Sequence, residues 1–429
     1  LINYSKKLFN LSEQEEMPVN IGDALAFIDV LSKSCGTSLS DIHKTRAQEM
    51  IALLYHMHPQ NEEILYCLGS VLATTCNFLG MKRLTPHFES VSLLEQTLTH
   101  FNMNYLSVPS DTGASFFPAQ KEIFDSLSKP YFSYSAPTSM GKSYMIRVFI
   151  KQQIMKGEKK NFALLIPTKA LINEVTNELI DDLTTLLQEA NYRIVSSSGS
   201  IALETEHNYI FILTPERMLY ILIDEPDLKI DYLFVDEAHK ISSRDKRSAF
   251  YYKVIGKLEE RQTAPHIIFA SPNIPNPQIF LDLLSKRTTL NGEISSTACK
   301  YAPVSQVKYI VDLWERNIRI FDSYTRKFIK LYDMRQSYSL SELIVWIGSG
   351  KHNIVYCKSK NDAIQFARNY SKMQPVIGDT KLQDFAKAIR SDVHKEYYLA
   401  ELVERGVAYH IGYLPANIRM QLENYYREG

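Results

Sequence analysis

No run in this chain approaches the roughly 20 apolar residues that cross a bilayer, and Leu1 to Asn10 lack the apolar core of a signal peptide. No membrane partner is expected, and the chain reads as cytoplasmic. No CxxC pair occurs among the five cysteines, Cys35, Cys67, Cys76, Cys299 and Cys357. Neither a disulfide framework nor a zinc site is indicated, and all five read as reduced thiols. Net charge is lacking as well, with 48 Lys and Arg against 48 Asp and Glu. Whole-chain charge therefore gives no sign of a polyanion partner, although a cleft needs only a local positive lining. Low-complexity tracts and short repeats are also missing.

What remains is an ordinary globular composition, 45% apolar and 22% charged, in a chain long enough for two or three domains. Residues 1–108 carry helical spacing, as in Ile21, Ala24, Leu25, Ile28 and Leu31, which predicts an all-helical accessory domain. It holds 7 basic and 11 acidic residues, so packing against its neighbour or docking a protein fits better than binding phosphate. Ser107 to Gly113 has the turn residues of a linker.

Residues 109–295 switch to short apolar runs between helical stretches, with strands expected at Tyr131–Ser135, Phe162–Ile166, Arg193–Ser196, Tyr209–Leu213, Tyr232–Val235 and Ile267–Ala270. This α/β pattern predicts a parallel sheet covered on both faces, with ligands beyond the carboxyl ends of its strands. Residues 296–429 read as the start of a second α/β domain. Its strands are expected near Val307–Val311, Asn353–Cys357 and Val407–Ile411, and its helices near Asn361–Tyr370 and Ala416–Arg427. The chain begins without Met and stops at Gly429 just after a helical pattern, so it reads as part of a longer protein.

The first expected strand runs into Ala136-Pro-Thr-Ser-Met-Gly-Lys-Ser143 and then a helical run. The strict phosphate-loop pattern fails at its first position, where Ala136 stands for Gly. The order strand, loop, helix N-terminus is nevertheless the one that phosphate binding needs. Thr138, Ser139, Met140 and Gly141 would cradle the phosphates of ATP, Gly141 where the backbone must approach closely. Lys142 would reach the β and γ phosphates, and the Ser143 hydroxyl would ligate Mg²⁺. A turn with an exposed lysine is the plain alternative.

A second motif, Asp231-Tyr-Leu-Phe-Val-Asp-Glu-Ala-His239, delivers two adjacent carboxylates at a strand's end. Adjacent acids repel unless they share a cation or a proton. Asp236 would hold Mg²⁺, partly through water, and Glu237 would orient and polarise the attacking water. His239 would couple the nucleotide site to a neighbouring domain; a solvated acidic turn is the alternative. Upstream, the Gln120 amide could donate to and accept from an adenine edge, although an exposed helix Gln is commoner.

In this order the motifs resemble the DEAD/DEAH-box helicases of superfamily 2, and Ala-Pro-Thr-Ser-Met-Gly-Lys-Ser resembles the Ski2-like branch. The resemblance spans roughly Phe116 to Gly429 and implies two RecA-like domains, the second incomplete here, behind the helical one. Ile166-Pro-Thr-Lys-Ala-Leu171 and Leu213-Thr-Pro-Glu-Arg217 match motifs that grip the phosphates of one strand, which implies nucleic-acid contacts for Thr168, Lys169, Thr214 and Arg217.

Ala270-Ser-Pro-Asn273 stands where the family has Ser-Ala-Thr, leaving Ser271 as the coupling residue. Tyr356-Cys-Lys-Ser-Lys360 and the stretch from Arg405 to Pro415 resemble motifs of the second domain. His410 within that stretch would contact nucleic acid or fill the core, the core being favoured. The family's last two motifs, one bearing the arginine finger, are expected beyond Gly429, so the chain as given should bind ATP but hydrolyse it poorly.

The implied partner is a single strand or an overhang duplex, DNA favoured over RNA, with 3′ to 5′ movement. The acidic helical front, Ser-Pro-Asn273 and Pro-Val-Ser-Gln306 are also similar to helicase subunits of bacterial antiphage systems such as Hachiman. That would add an effector partner such as a nuclease. An RNA-remodelling helicase and a non-unwinding ATP switch are the rival readings.

Overall fold

The structure, a computed structural model, describes residues 1–11, 17–85, 88, 92–111, 113–197, 203–204, 206–242, 247–286, 290, 292–304, 306–348 and 350–428. Two compact units form, Val19–Gln306, and Leu1–Pro18 together with Val307–Gly429. This partition differs from the expected boundaries at 108 and 295. The helices from residue 21 onward stay with the large sheet, and the first 18 residues join the region after 307.

The larger unit is built on seven parallel strands: β1 (Tyr131–Ser135), β2 (Phe162–Leu165), β3 (Tyr192–Val195), β4 (Asn208–Leu213), β5 (Tyr232–Val235), β6 (His266–Ser271) and β7 (Ile294–Ala298), in the order β3-β4-β2-β5-β6-β1-β7. The central strands are largely apolar because both faces are covered, and successive side chains split between two cores. Phe132, Tyr134, Phe162, Leu164, Ile210, Ile212 and Phe234 meet the helices Pro118–Ser126, Lys142–Met155 and Lys169–Glu189. Ala163, Leu165, Phe211, Leu213, Leu233, Val235, Ile267 and Phe269 meet Pro215–Asp224, Ser248–Glu259 and Gln278–Ser285. This is the RecA-like arrangement expected, with β7 added at the edge beside β1.

Ahead of the sheet come the helices Ile21–Ser32, Ser40–Met57, Glu62–Thr74, Phe78–Leu84 and Leu93–Tyr105. Asn20, Asn61 and Asn77 cap three of them with side-chain oxygens, and Ile28, Ile51, Ile64 and Leu68 form their core. A buried polar network ties this region to the sheet. The Gln48 amide donates to Thr75 Oγ1 at 2.7 Å and to the Tyr301 hydroxyl at 2.5 Å, while Asn77 donates back to Gln48 Oε1 at 3.3 Å. Tyr301 in turn packs its ring on Phe117, centroids 5.9 Å apart.

In the smaller unit, β8 (Lys308–Asp312), β9 (Asn317–Asp322) and β10 (Lys327–Asp333) form an antiparallel sheet in the order β10-β9-β8. Ile318, Ile320 and Leu331 of its inner face pack with Phe9, Leu11 and Trp346. That burial is why the first residues belong here rather than with the following helices. The helices Lys360–Ser371 and Ala416–Glu428 form as expected. The segments 353–357 and 407–411 do not join a sheet among the described residues. A parallel strand is held by ladder bonds to its neighbours, and without them Ile354 and Tyr356 stay exposed while Val407 and Tyr409 pack into a helical core. His410 is not a core residue: it is exposed, and its Nε2 lies 2.9 Å from Glu423 Oε1. All five cysteines are free, and no described helix is long and apolar enough to cross a membrane.

Candidate nucleotide and nucleic-acid site

Because all seven strands run the same way, the loops after β1, β5, β6, β2 and β4 emerge at one edge of the sheet, where such folds bind ligands. β6 lies between β1 and β5, so Ser271 at its end sits between the phosphate-loop segment and the acidic pair. β2 and β4 lie on the far side of β5 and carry the two expected strand-gripping segments.

Ala136 extends the ladder of β1, its N–H donating to the Ser271 carbonyl at 3.1 Å. It is not among the residues with positive φ, which explains why this loop needs no glycine there. Thr138–Met140 make one short 3₁₀ turn, with Thr138 and Ser139 exposed and Met140 buried. Gly141 follows in the left-handed region, φ 70° and ψ 46°, where a Cβ would lie 3.2 Å from Gln120 Nε2. From this residue the helix Lys142–Met155 starts, its first backbone N–H groups turned toward the loop.

Lys142 is buried, 6% exposed, yet its ammonium has no hydrogen-bond or ion-pair partner among the described residues. Asp236 is partly buried; its N–H donates to the Leu165 carbonyl, and its Oδ1 accepts from the Glu237 N–H at 2.9 Å. Burial, then the neighbouring Glu237, pushes the Asp236 carboxyl up to about 6, against the pull of that N–H and of Lys142. Ser143 and Asp236 line one small cavity with Ile146, Leu164, Ile166, Val175 and Phe234. Glu237 takes φ 52°, a conformation uncommon for a residue with a Cβ, and its Oε2 lies 3.2 Å from His239 Nδ1 without hydrogen-bond geometry.

These residues suit a magnesium–nucleotide. A lysine ammonium without a protein partner at the end of a largely buried side chain suits an anion, and a carboxyl pushed up to about 6 by burial and then by Glu237 gains from a divalent cation. Among the described residues no cluster of three His, Cys, Asp or Glu could hold a metal alone. Mg²⁺ takes one or two protein ligands and completes its shell with phosphate and water.

Gln120 is not the exposed helix residue of the plain reading. It is buried, its Oε1 accepting from the Phe117 N–H at 2.8 Å and its Nε2 donating to the Met140 carbonyl at 2.7 Å. The amide therefore braces the loop, with one N–H left over. Ser271 is fully buried and donates to the Tyr134 carbonyl at 3.3 Å. Asn273 after it takes φ 46°, and the Ile274 N–H donates to Ser135 Oγ at 2.7 Å.

On the other half of the edge, Thr168 and Lys169 are exposed, Thr168 capping the helix Lys169–Glu189 through the Leu171 N–H. Thr214 is buried next to Glu216, and Arg217 donates to the Ser196 carbonyl at 3.2 Å. Arg247, which no motif marks, joins the two segments by donating to the Pro167 carbonyl at 3.0 Å and gripping Glu216 with two nitrogens. Burial alone would raise the Glu216 carboxyl; the Arg247 guanidinium and the Thr214 hydroxyl hold it below its ordinary value instead. The Tyr134 hydroxyl, near Asp236, is buried without a partner.

Residues 117–279 match the family model of the DEAD/DEAH box helicases. No curated protein matches. Among solved structures, the DUF1998 helicase MrfA bound to DNA aligns at 17% identity and TM-score 0.36, over 44% of this chain and 28% of that one. Another structure of DUF1998 helicase MrfA gives 14% and 0.44, over 66% and 44%. Dbp5 of S. cerevisiae, bound to RNA and ADP BeF3, gives 11% and 0.32, over 42% and 49%. The chain spans less than half the length of these structures.

Proposed function

We propose that this chain is the ATP-binding part of a superfamily 2 helicase or translocase of Ski2-like type, moving 3′ to 5′ along a single strand, DNA favoured over RNA. The observation that carries the reading is Lys142: a side chain only 6% exposed whose ammonium has no hydrogen-bond or ion-pair partner among the described residues, behind a left-handed glycine and within electrostatic reach of Asp236. Lys142 would bind the β and γ phosphates, with Thr138 and Ser139 beside it, while Ser143 and Asp236 hold the metal. Mg²⁺, when bound, neutralises charge on the phosphate oxygens. Glu237 orients the attacking water and accepts its proton, and Gln120 keeps the loop in shape. Thr168 and Lys169 face the strand; Thr214 and Arg217 position that surface from behind. His239 and Ser271 relay the state of the nucleotide site. An antiphage role with a nuclease-like effector extends this reading on the acidic helical front and Ser-Pro-Asn273.

A second reading is a non-unwinding ATP switch that controls a partner. Its support is the segment after Ser271, tied back to β1 through Ser135 and lacking the Ser-Ala-Thr hydroxyl pair. The test is ATP hydrolysis by the protein alone and with single-stranded DNA, overhang duplexes and matching RNA. Stimulation by one class, lost in Lys142→Ala, supports the motor and names its substrate. Hydrolysis that no nucleic acid stimulates favours the switch, and unchanged activity in Lys142→Ala sinks the site assignment.

A further inference from the structure

The three-stranded sheet has one covered face and one open face. Tyr309, Val311, Ile318, Ile320 and Ile329 belong to the covered side by register, and most of them pack against Phe9 and Trp346. Residues paired across antiparallel strands share a face. The opposite side therefore carries the rows Lys308–Phe321–Phe328 and Ile310–Arg319–Lys330. Phe321 and Phe328 lie ring to ring, centroids 5.1 Å apart, and Phe328 is 52% exposed. Beyond the second row the β8–β9 turn presents Trp314, 95% exposed, on a tip fixed by the Asp312 carboxylate, which accepts from the N–H groups of Trp314 and Glu315 at 3.0 and 2.9 Å. An indole held in water at a braced turn is a poor use of a large apolar side chain unless something stacks on it.

Charge selects the occupant. Within residues 308–335 there are seven Lys and Arg against four Asp and Glu, whereas the whole chain is balanced. Lys330 pairs with Asp333 across an exposed contact of 2.8 Å, which holds weakly enough for a phosphate to compete, while half-buried Arg319 reaches Asp312 at 3.2 Å. Rings interleaved with cations on an open sheet suit an unpaired strand, whose bases stack on the rings and whose backbone meets the cations.

We infer that the open face of β8–β10, with Lys308, Phe328, Lys330 and Trp314 as its contacts, is a second, nucleotide-independent platform for single-stranded nucleic acid. It deepens the motor reading and rests on it for the kind of ligand, but it uses none of the residues of the ATP site. The platform runs from the aromatic pair to the indole over about 13 Å of strand, at about 3.3 Å per residue.

The chain has two tryptophans, and Trp346 is stacked on Tyr338 at 5.3 Å. The Trp346→Phe variant thus leaves Trp314 as reporter. Titration with an oligothymidylate of about 20 nucleotides, without ATP, should quench its emission, because bases stack on an exposed ring. By anisotropy of the labelled oligonucleotide, Trp314→Ala and Phe328→Ala should each weaken binding roughly 5- to 150-fold. Lys308→Glu with Lys330→Glu should weaken it most at low salt. The Trp314, Phe328 and paired lysine variants should keep the unfolding temperature and the ATP hydrolysis without nucleic acid of the chain they are made in, and Lys142→Ala should bind the oligonucleotide as the unaltered chain does. Undiminished binding in both ring variants, with Trp314 emission unchanged, overturns the platform even while strand-stimulated hydrolysis leaves the motor standing. Protection of Trp314 by a protein rather than by the oligonucleotide overturns it as well. Quenching together with ATP hydrolysis that no nucleic acid stimulates keeps the platform and removes the motor.

Discussion

Replacing Asp236 with Asn should stabilise the protein in the absence of metal and nucleotide. Burial and Glu237 raise the Asp236 carboxyl from its ordinary 3.8 to about 6. A group that ionises less readily folded than unfolded makes the folded state lose stability as pH rises between those values, because there the folded chain binds the extra proton. Below 3.8 there is no penalty, and above about 6 it is complete. A rise of about two units at about 1.4 kcal/mol each gives about 3 kcal/mol at most, and residual contact with water reduces it to about 1–3 kcal/mol. Asn keeps the oxygen that accepts the Glu237 N–H and carries no charge. Thermal unfolding at pH 8 without Mg²⁺ or ATP should therefore place Asp236→Asn a few degrees above the unaltered protein, and the difference should vanish near pH 4. Adding Mg²⁺ and ATP should stabilise the unaltered protein and leave the variant, unable to hold the metal, little changed. An Asn variant less stable at pH 8, or equally stabilised by Mg²⁺ and ATP, would refute the reasoning.

Gly141→Ala puts a Cβ at a left-handed position beside Gln120 Nε2, at a cost of about 1–2 kcal/mol; nucleotide titration should show weaker binding, and thermal unfolding a matching loss. Tyr301→Phe removes the hydroxyl that accepts from Gln48 and should cost about 0.5–1.5 kcal/mol in denaturant unfolding, with Gln48→Leu, which strands Asn77 as well, costing more. Arg247→Met frees the Pro167 carbonyl and the Glu216 carboxylate. Stability should fall by about 1 kcal/mol, and hydrolysis should lose its response to nucleic acid while its basal rate stays.

The large sheet was legible because its strands are buried on both faces: runs such as Tyr-Leu-Phe-Val before Asp236 admit no solvent-facing position and alternate with helices. β7 was not legible for the opposite reason. Ile294-Ser-Ser-Thr-Ala298 is an edge strand whose residues alternate between exposed and half-buried, and it is defined by its partner β1 rather than by its own composition. β9 does carry a period-two signal, with Ile318 and Ile320 inward and Arg319 outward, but an expectation of alternating strands and helices passes over a meander. The grouping of residues 1–18 with 307–429 could not be read at all. It rests on Phe9 and Leu11 filling a core whose other members lie some three hundred residues away.

The nucleotide-site candidates were legible because their chemistry lies in contiguous loops at predictable strand ends: Lys142 after β1, and Asp236 with Glu237 after β5, reach the same edge once strand direction is known. What spacing could not supply was the state of each side chain. Gln120 carries the right amide, but it is spent on Phe117 and Met140, so it shapes the loop whatever else it touches. Thr214 has the right hydroxyl, but its residue is buried, and the cation that organises that surface is Arg247, outside any motif. A motif names the groups that chemistry needs; the hydrogen bonds they already make decide which are free to meet a ligand. By that criterion Lys142, buried and unpaired among the described residues, is the strongest claim the chain makes about itself.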